Sequence, residues 1–96
     1  MEVWGWKTIL GSVNTTYQLA NGPVFIKTII VWNITGAASA ILYNEKTAVT
    51  TNMFLTVWSG ISETKVIMFD DPCQLDTGCY ITLASTSGIL VQYKPI

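Results

Sequence analysis

The stretch VFIKTIIVWNI, residues 24–34, decides the fold class of this chain. Its residues are mostly β-branched or aromatic, which is typical of a strand, and Asn21-Gly22-Pro23 before it is typical of a turn. We predict that the even-numbered side chains of this stretch face the core. Because the odd-numbered positions include Ile29 and Val31, we also expect the second side of the strand to be covered.

Similar apolar runs lie on both sides of this strand and are separated by clusters of turn residues. We predict about seven strands, at residues 3–10, 24–34, 39–43, 49–59, 65–69, 79–85 and 89–94, with a polar loop at 12–17. Asp70-Asp71-Pro72 is expected to end the strand at 65–69, because proline cannot extend a ladder. No stretch of ten residues has the helical spacing of apolar residues.

The chain is therefore predicted to be all-β, a compact β-sandwich in which residues 1–96 form one domain. A chain of this length is long enough for one modest core. Residues 1–20 are expected to supply the first strand and the polar loop, and to act as an arm that contacts a partner.

The composition is poor in charge. Lys and Arg number 5 and Asp and Glu number 6, so 11% of residues are charged where about 25% is usual. Hydrophobic residues make up 50% of the chain, and its mean hydropathy is +0.42. So few charges leave much of the surface neutral or apolar, and we expect partner proteins to cover a large part of it.

The same composition argues against several functions. A net charge of −1 without any arginine does not neutralise a row of phosphates, so nucleic-acid binding is not expected. The chain has no histidine, the commonest general base and metal ligand, and its serines therefore lack an activating base. We expect a non-enzyme with no catalytic residue, cofactor or metal. Asp70, Asp71 and Asp76 are interpreted as turn-capping residues, with a calcium loop as the less favoured alternative.

Membrane insertion and export are not expected either. The longest uncharged stretch, residues 8–26, and the stretch at residues 28–44 are interrupted by polar residues, unlike a membrane-spanning helix. The first ten residues, MEVWGWKTIL, lack the basic region and the continuous apolar region of a secretory signal. We therefore expect a protein that is made in and kept in a cytosol.

Aromatic residues are the strongest candidates for a binding surface. Trp4 and Trp6 are two residues apart, so an extended chain directs both to the same side. Three alternatives explain them: the inner face of the first strand, an anchor in a partner's pocket, or a platform that stacks on a sugar. Together with Lys7 and Trp58, they form the predicted set of partner contacts. The predicted contacts between subunits are Ile29, Val31, Ile41 and Tyr43.

Cys73 and Cys79 are separated by five residues, which leaves two alternatives. A disulfide across a tight loop is one, and a pair of free thiols is the other. The spacing differs from the C-x-x-C of redox centres, and two thiols are too few for a structural zinc site. Because nothing in the first ten residues points to an oxidising compartment, free thiols are favoured.

The last third of the chain contains QLDTGCYI at residues 74–81, then Ser87-Gly88, then LVQYKP at residues 90–95. The pattern is a polar loop, a glycine followed by alternating apolar residues and a tyrosine, and a final hairpin with a tyrosine near its end. With the turn at residues 21–23 and the long strand after it, this pattern resembles a group of small virion proteins of tailed phages. The resemblance covers residues 20–96.

The resemblance implies a compact sandwich related to a jelly roll that decorates the phage head as a cement protein. It implies a homotrimer that binds the major capsid protein and bridges coat subunits on the surface of the virion head, after synthesis in the host cytoplasm. The two tryptophans near the N-terminus and the two cysteines depart from the pattern of the group. Small sandwiches of this kind also serve as tail, fibre or knob domains that recognise a host receptor or glycan, which is the alternative function.

Overall fold

The structure, a computed structural model, describes residues 4–10, 15–33, 38–59, 63–84 and 87–96. These residues form strands and connections without any helix. The eight strands are β1 (Gly5–Leu10), β2 (Thr15–Ala20), β3 (Val24–Asn33), β4 (Ala38–Tyr43), β5 (Met53–Ser59), β6 (Thr64–Leu75), β7 (Cys79–Ala84) and β8 (Ser87–Pro95). The all-β prediction is confirmed. The strand that the sequence analysis missed is β2, which begins inside the predicted polar loop.

The strands form two antiparallel sheets of four strands each. The first sheet has the order β1-β8-β3-β6 and the second has the order β2-β7-β4-β5. One long hairpin that is rolled up contains the pairs β1–β8, β2–β7, β3–β6 and β4–β5. Successive pairs of this series lie in alternate sheets. Eight strands with this connectivity form a jelly roll, and the predicted β-sandwich is confirmed.

The hydrophobic core lies between the two sheets. Both sheets contribute inward-facing aliphatic side chains, and their removal from water is the main stabilising contribution to such a fold. The buried cluster consists of Ile9, Val24, Ile26, Ile29, Val31, Ala40, Leu42, Val57, Leu75, Cys79, Ile81, Leu83, Ile89 and Val91.

β3 contains a bulge at Lys27. Ile26 lies opposite Tyr93 of β8, and Thr28 lies opposite Gln92, so Lys27 has no residue opposite it in that strand. An extra residue in one strand shifts the alternation of side chains by one position.

The bulge reverses which side chains of β3 face the core. Val24 is buried before the bulge, whereas Ile29 and Val31 are buried after it. Ile30 and Trp32 consequently lie on the outer side of the sheet and are only half-buried. The prediction that even-numbered positions face the core is therefore correct before the bulge and wrong after it.

β6 continues through Asp70-Asp71-Pro72, where the sequence analysis predicted its end. β6 is an edge strand of the first sheet, so one of its sides has no neighbouring strand. Residues 69–72 lie between the paired residues Met68 and Cys73, in an irregular part of the ladder with β3. Proline is tolerated at such a place because its missing N–H is not needed there.

One side chain holds three segments together at the end of the second sheet. The Nε2 amide of Gln18 in β2 donates to the carbonyl oxygens of Ala20 at 2.8 Å, Glu45 at 3.0 Å and Cys79 at 3.0 Å. These carbonyls belong to β2, to the connection after β4 and to β7. The amide has two N–H donors, so the three carbonyl oxygens share them, and Gln18 links all three segments.

Candidate protein-binding surface

The outer side of the first sheet is largely apolar. In β8, Ile89 and Val91 are fully buried in the core, so the even-numbered side chains of that strand point outward. Residues directly opposite each other in neighbouring strands lie on the same side of a sheet. The apolar side chains that three adjacent rows of the strand register put on this outer side, together named the apolar face, are Trp6, Leu10, Ile30, Trp32, Val66, Met68 and Leu90; half-buried Phe25, opposite Lys94 and Gln74, lies in the next row.

The apolar face is continuous because its side chains occupy neighbouring rows. Each row crosses all four strands of the sheet, and rows alternate with the inward-facing rows of the core. The three rows are Thr8–Leu90–Ile30–Val66, Trp6–Gln92–Thr28–Met68 and Leu10–Gly88–Trp32–Thr64.

Four members of the apolar face are strongly exposed to solvent. Their exposed fractions are 72% for Leu10, 71% for Met68, 56% for Val66 and 51% for Trp6. Single exposed apolar side chains are ordinary, but a contiguous set of them is a candidate contact surface for another protein. Full burial of an aliphatic side chain contributes about 1.5–3 kcal/mol, so covering this face strongly favours association.

One hydrogen bond joins two polar side chains in the middle of this outer side. The Thr28 hydroxyl donates to Oε1 of Gln92 at 3.0 Å, and Thr28 is only 5% exposed. A buried hydroxyl without a partner would destabilise an interface. Because this pair is already formed, another surface can cover the centre of the face without leaving the Thr28 hydroxyl unpaired.

Positive charge is confined to one end of the same outer side. The ammonium groups of Lys27 and Lys94 lie 5.5 Å and 5.7 Å from the centroid of the Trp4 ring, within the range of cation–π interactions. Among the described residues that the register puts on this side, none is acidic. The surface is therefore an apolar area with a basic border at the Trp4 end.

The two edges of the first sheet carry lysines on the inward side of the strand. Lys7 of β1 lies opposite buried Val91, and its ammonium is 5.1 Å from the centroid of the Tyr17 ring in β2. Lys65 of β6 lies opposite buried Val31, but its side chain is half-exposed and its ammonium lies 3.6 Å from Oε2 of Glu63. An inward-pointing charge on an edge strand opposes pairing with a strand of another chain. The open outer side of this sheet, rather than its edges, is thus suited to association.

The outer side of the second sheet is different in character. Trp58 is 68% exposed and Met53 is 61% exposed, both on the edge strand β5. Ile41 is half-buried on this side. Tyr43 and Tyr80 face each other across β4 and β7 with ring centroids 6.1 Å apart, and Tyr43 is only 8% exposed.

The predicted partner contacts do not form one surface. Trp6 lies on the outer side of the first sheet, and Trp4 lies beside it at the basic border, so the inner-face alternative is wrong for this pair. Lys7 points between the sheets instead of toward a partner. Trp58 lies on the opposite side of the sandwich.

Two of the predicted subunit contacts are corrected by the structure. Ile29 and Val31 have no exposed surface and belong to the core, because the bulge at Lys27 turns them inward. Tyr43 is nearly covered within its own chain, and Ile41 keeps some exposed surface on the second sheet. Most of the apolar face was missed by the sequence analysis. The signal for it was present in apolar residues at both parities of 24–34 and in the alternation of Val66 and Met68.

Both cysteines are free thiols, so the disulfide alternative is not the one observed. Cys73 is half-buried in β6 of the first sheet, and Cys79 is buried in β7 of the second. Burial raises the pKa of both thiols, that of Cys79 to about 12. A thiol that stays protonated is a poor nucleophile and a poor metal ligand.

The described ranges contain no cluster of three or more side chains suited to hold a metal ion. The same part of the chain includes no helix of the length and hydropathy needed to cross a membrane.

Fold and surface together define a class: a jelly-roll β-sandwich with an uncovered apolar face on one sheet. Comparison with protein-family models, with curated protein sequences and with solved structures found no match to this chain.

Proposed function

We propose that this chain is a non-enzymatic structural protein of a tailed-phage virion. It acts as a capsid decoration, or cement, protein that binds the major capsid protein on the head surface and bridges neighbouring coat subunits. It is a homotrimer, and its binding stabilises the head. The observation that carries the proposal is that both outer sides of the sandwich expose large apolar side chains, Met68 on one and Trp58 on the other.

A bridging protein needs two separate contact surfaces. One must hold its own copies together and the other must bind the coat. The outer sides of a sandwich point in opposite directions, so a single small domain can serve both contacts without a second domain. The jelly roll supports this use, since it also builds viral capsid subunits.

The coat contact is assigned to the outer side of the second sheet. Trp58 is the most exposed aromatic residue among those described on that side, and an exposed tryptophan is a common anchor of protein interfaces. Thr56, the next residue of β5 on that side, and Met53 beyond it extend the contact area along the strand, and the Thr56 hydroxyl donates to the Met53 sulfur at 3.0 Å.

The proposal is tested on the phage that encodes the chain. Virions are purified through a density gradient and analysed by quantitative mass spectrometry, and we expect the protein at a fixed ratio to the major capsid protein. Recombinant protein is then added to heads that lack it, and the heads are pelleted. Saturable binding is expected for the wild type, with at least tenfold weaker binding for Trp58→Ala. Absence from virions, or no saturable binding to heads, would contradict the function.

A second candidate function rests on the same tryptophan. An indole that is 68% exposed on a flat sheet is a platform on which a sugar ring can stack, as expected for a fibre or knob domain that recognises a glycan. In that case the isolated protein binds host cells or a saccharide array, and Trp58→Ala abolishes this binding. Binding to heads but not to glycans would exclude this candidate.

A further inference from the structure

We propose that the apolar face is the surface through which copies of this chain pack against one another. The inference deepens the proposed function, because it names the contact that holds the homo-oligomer. It rests on that function only for the number of copies.

The solubility of the chain requires the apolar face to be covered. Only 11% of the residues are charged, and the most exposed parts of the apolar face, Leu10 and Met68, are more than two-thirds accessible in a single chain. A monomer with such a face aggregates unless the face is covered soon after folding. A second copy of the chain is present wherever the chain is made, whereas a coat surface becomes available only after a head has assembled.

The chemistry of the apolar face is similar to that of interfaces between permanently associated copies. Interfaces between permanently associated copies are more apolar than transient ones, and their centres are depleted in charge. Here the centre is apolar, and its polar pair, Thr28 and Gln92, is already hydrogen-bonded. Lys27 and Lys94 lie at one end, where they can remain in the solvated rim of a contact.

The flat area of the apolar face follows from the geometry of its four strands. Four strands about 4.8 Å apart and about seven residues long, at roughly 3.4 Å per residue, give a flat area of about 450 Å². Side-chain relief and a surrounding rim increase the accessible area toward the roughly 800 Å² that each partner contributes to a standard interface. Copies packed through this face therefore bury an area that approaches that of a standard interface.

Charged side chains oppose edge-to-edge association of the first sheet. Sheets also associate edge to edge, but Lys7 and Lys65 occupy inward-facing positions on the two edge strands of the first sheet. Their charges oppose continuation of the sheet into another chain. Edge pairing of the first sheet is therefore disfavoured relative to packing through its apolar face.

The experiment compares two methionine variants that introduce the same charge on opposite sides of the sandwich. Met68→Glu puts a carboxylate on the apolar face, and Met53→Glu puts one on the outer side of the second sheet. The mass of each purified protein is measured by sedimentation equilibrium over a hundredfold concentration range, with circular dichroism to check the fold. Leu10→Glu, at the other edge of the apolar face, replaces Met68→Glu if that variant does not fold.

We expect wild type and Met53→Glu to be oligomers of the same mass, and Met68→Glu to be monomeric or to associate at least tenfold more weakly. A monomeric wild type would overturn the inference, and so would a Met68→Glu protein with the wild-type mass. If the wild type is monomeric and Met68→Glu loses head binding, the apolar face binds the coat; this inference and the homotrimer then fail, while binding to the head as a decoration protein stands. If Met68→Glu dissociates the oligomer but the protein is absent from virions, the inference stands and the proposed function fails.

Discussion

The indole ring of Trp32 occupies the space that a side chain at Gly88 would fill. The two residues lie opposite each other in β3 and β8, and a Cβ added to Gly88 would overlap ring atoms Cζ2 and Cε2. An aromatic ring that covers a glycine in the neighbouring strand compensates for the missing side chain. Gly88 therefore determines where Trp32 lies within the apolar face.

Replacing that glycine tests the relationship. Gly88→Ala is expected to lower the free energy of unfolding by about 1–3 kcal/mol, because the methyl group forces the indole out of its position. In a Trp32→Ala background the same change is expected to cost almost nothing, since the space is then empty. Urea unfolding of the four proteins gives the coupling between the two sites. Costs that simply add would show that the ring does not depend on the glycine.

The hydrogen bonds of Gln18 give a second prediction. Gln18→Met keeps the length of the side chain but leaves the carbonyl oxygens of Ala20, Glu45 and Cys79 without this donor. We expect the free energy of unfolding to fall by about 1–3 kcal/mol. The control is Gln74→Met at an exposed position of β6, where a change within about 0.5 kcal/mol is expected. Equal effects of the two substitutions in chemical denaturation would rule out this role.

Cys79 predicts a pH dependence above neutrality. Burial raises the pKa of its thiol from an ordinary value of 9.0 to about 12, so the unfolded chain loses this proton before the folded chain does. Between these two values the folded state binds more protons, and the free energy of unfolding falls as pH rises, by at most about 1.4 kcal/mol per pH unit. Below pH 9 this thiol contributes no pH dependence.

The measurement is the stability difference between wild type and Cys79→Ala as a function of pH. Subtraction of the variant removes the pH dependence that the two proteins share. The difference is expected to be constant below pH 9 and to decrease above it. A difference that stays constant up to pH 11 would mean that the folded protein ionises Cys79 like an unfolded chain.

The two thiols are also expected to differ in reactivity. Cys73 is half-buried on an edge strand, whereas Cys79 is fully buried in the core. With iodoacetamide at pH 8, we expect Cys73 to be alkylated in the folded protein and Cys79 only after unfolding, because access and thiolate fraction both control the rate. Peptide mapping by mass spectrometry separates the two sites. Equal labelling of both in the native state is the contrary result.

The edge lysines predict an aggregation phenotype. Lys65→Val removes the inward-facing charge from β6, so this edge is expected to pair with strands of other chains and to raise light scattering during incubation. Lys46→Val changes the net charge equally at an exposed position outside the strands and is the matched control. Scattering that rises equally in both variants would point to lost charge rather than to an unprotected edge.

The fold class was predictable because strand propensity and turn residues act locally. The runs of Val, Ile and Thr and the turn residues around residues 21–23 carry this information in the sequence itself. β2 was missed because Thr15–Ala20 mixes polar and apolar residues and forms a strand through its pairing with β7. The passage of β6 through Pro72 depends on its place at the edge of a sheet, which no local pattern reveals.

The binding surface was only partly predictable for a similar reason. Trp6 was identified because alternation within one strand is a local property. Ile29 and Val31 were assigned to a subunit contact because nothing in their sequence announces a bulge at Lys27, and one extra residue exchanges the two sides of a strand. Ile30 and Trp32, which were expected in the core, lie on the outer side of the sheet instead. Register between strands, not composition, decides which apolar residues face a partner.

The position of β8 has a consequence for the order of events during synthesis. β8 lies between β1 and β3 in the first sheet, although it follows all other strands along the chain. Until β8 has left the ribosome, β1 has no neighbour in the first sheet and the apolar face does not exist as a surface. Folding through such distant pairings is slow compared with local hairpin formation. A growing chain therefore cannot present a completed apolar face to its neighbours on a polysome, and any contact through that face waits until β8 has paired.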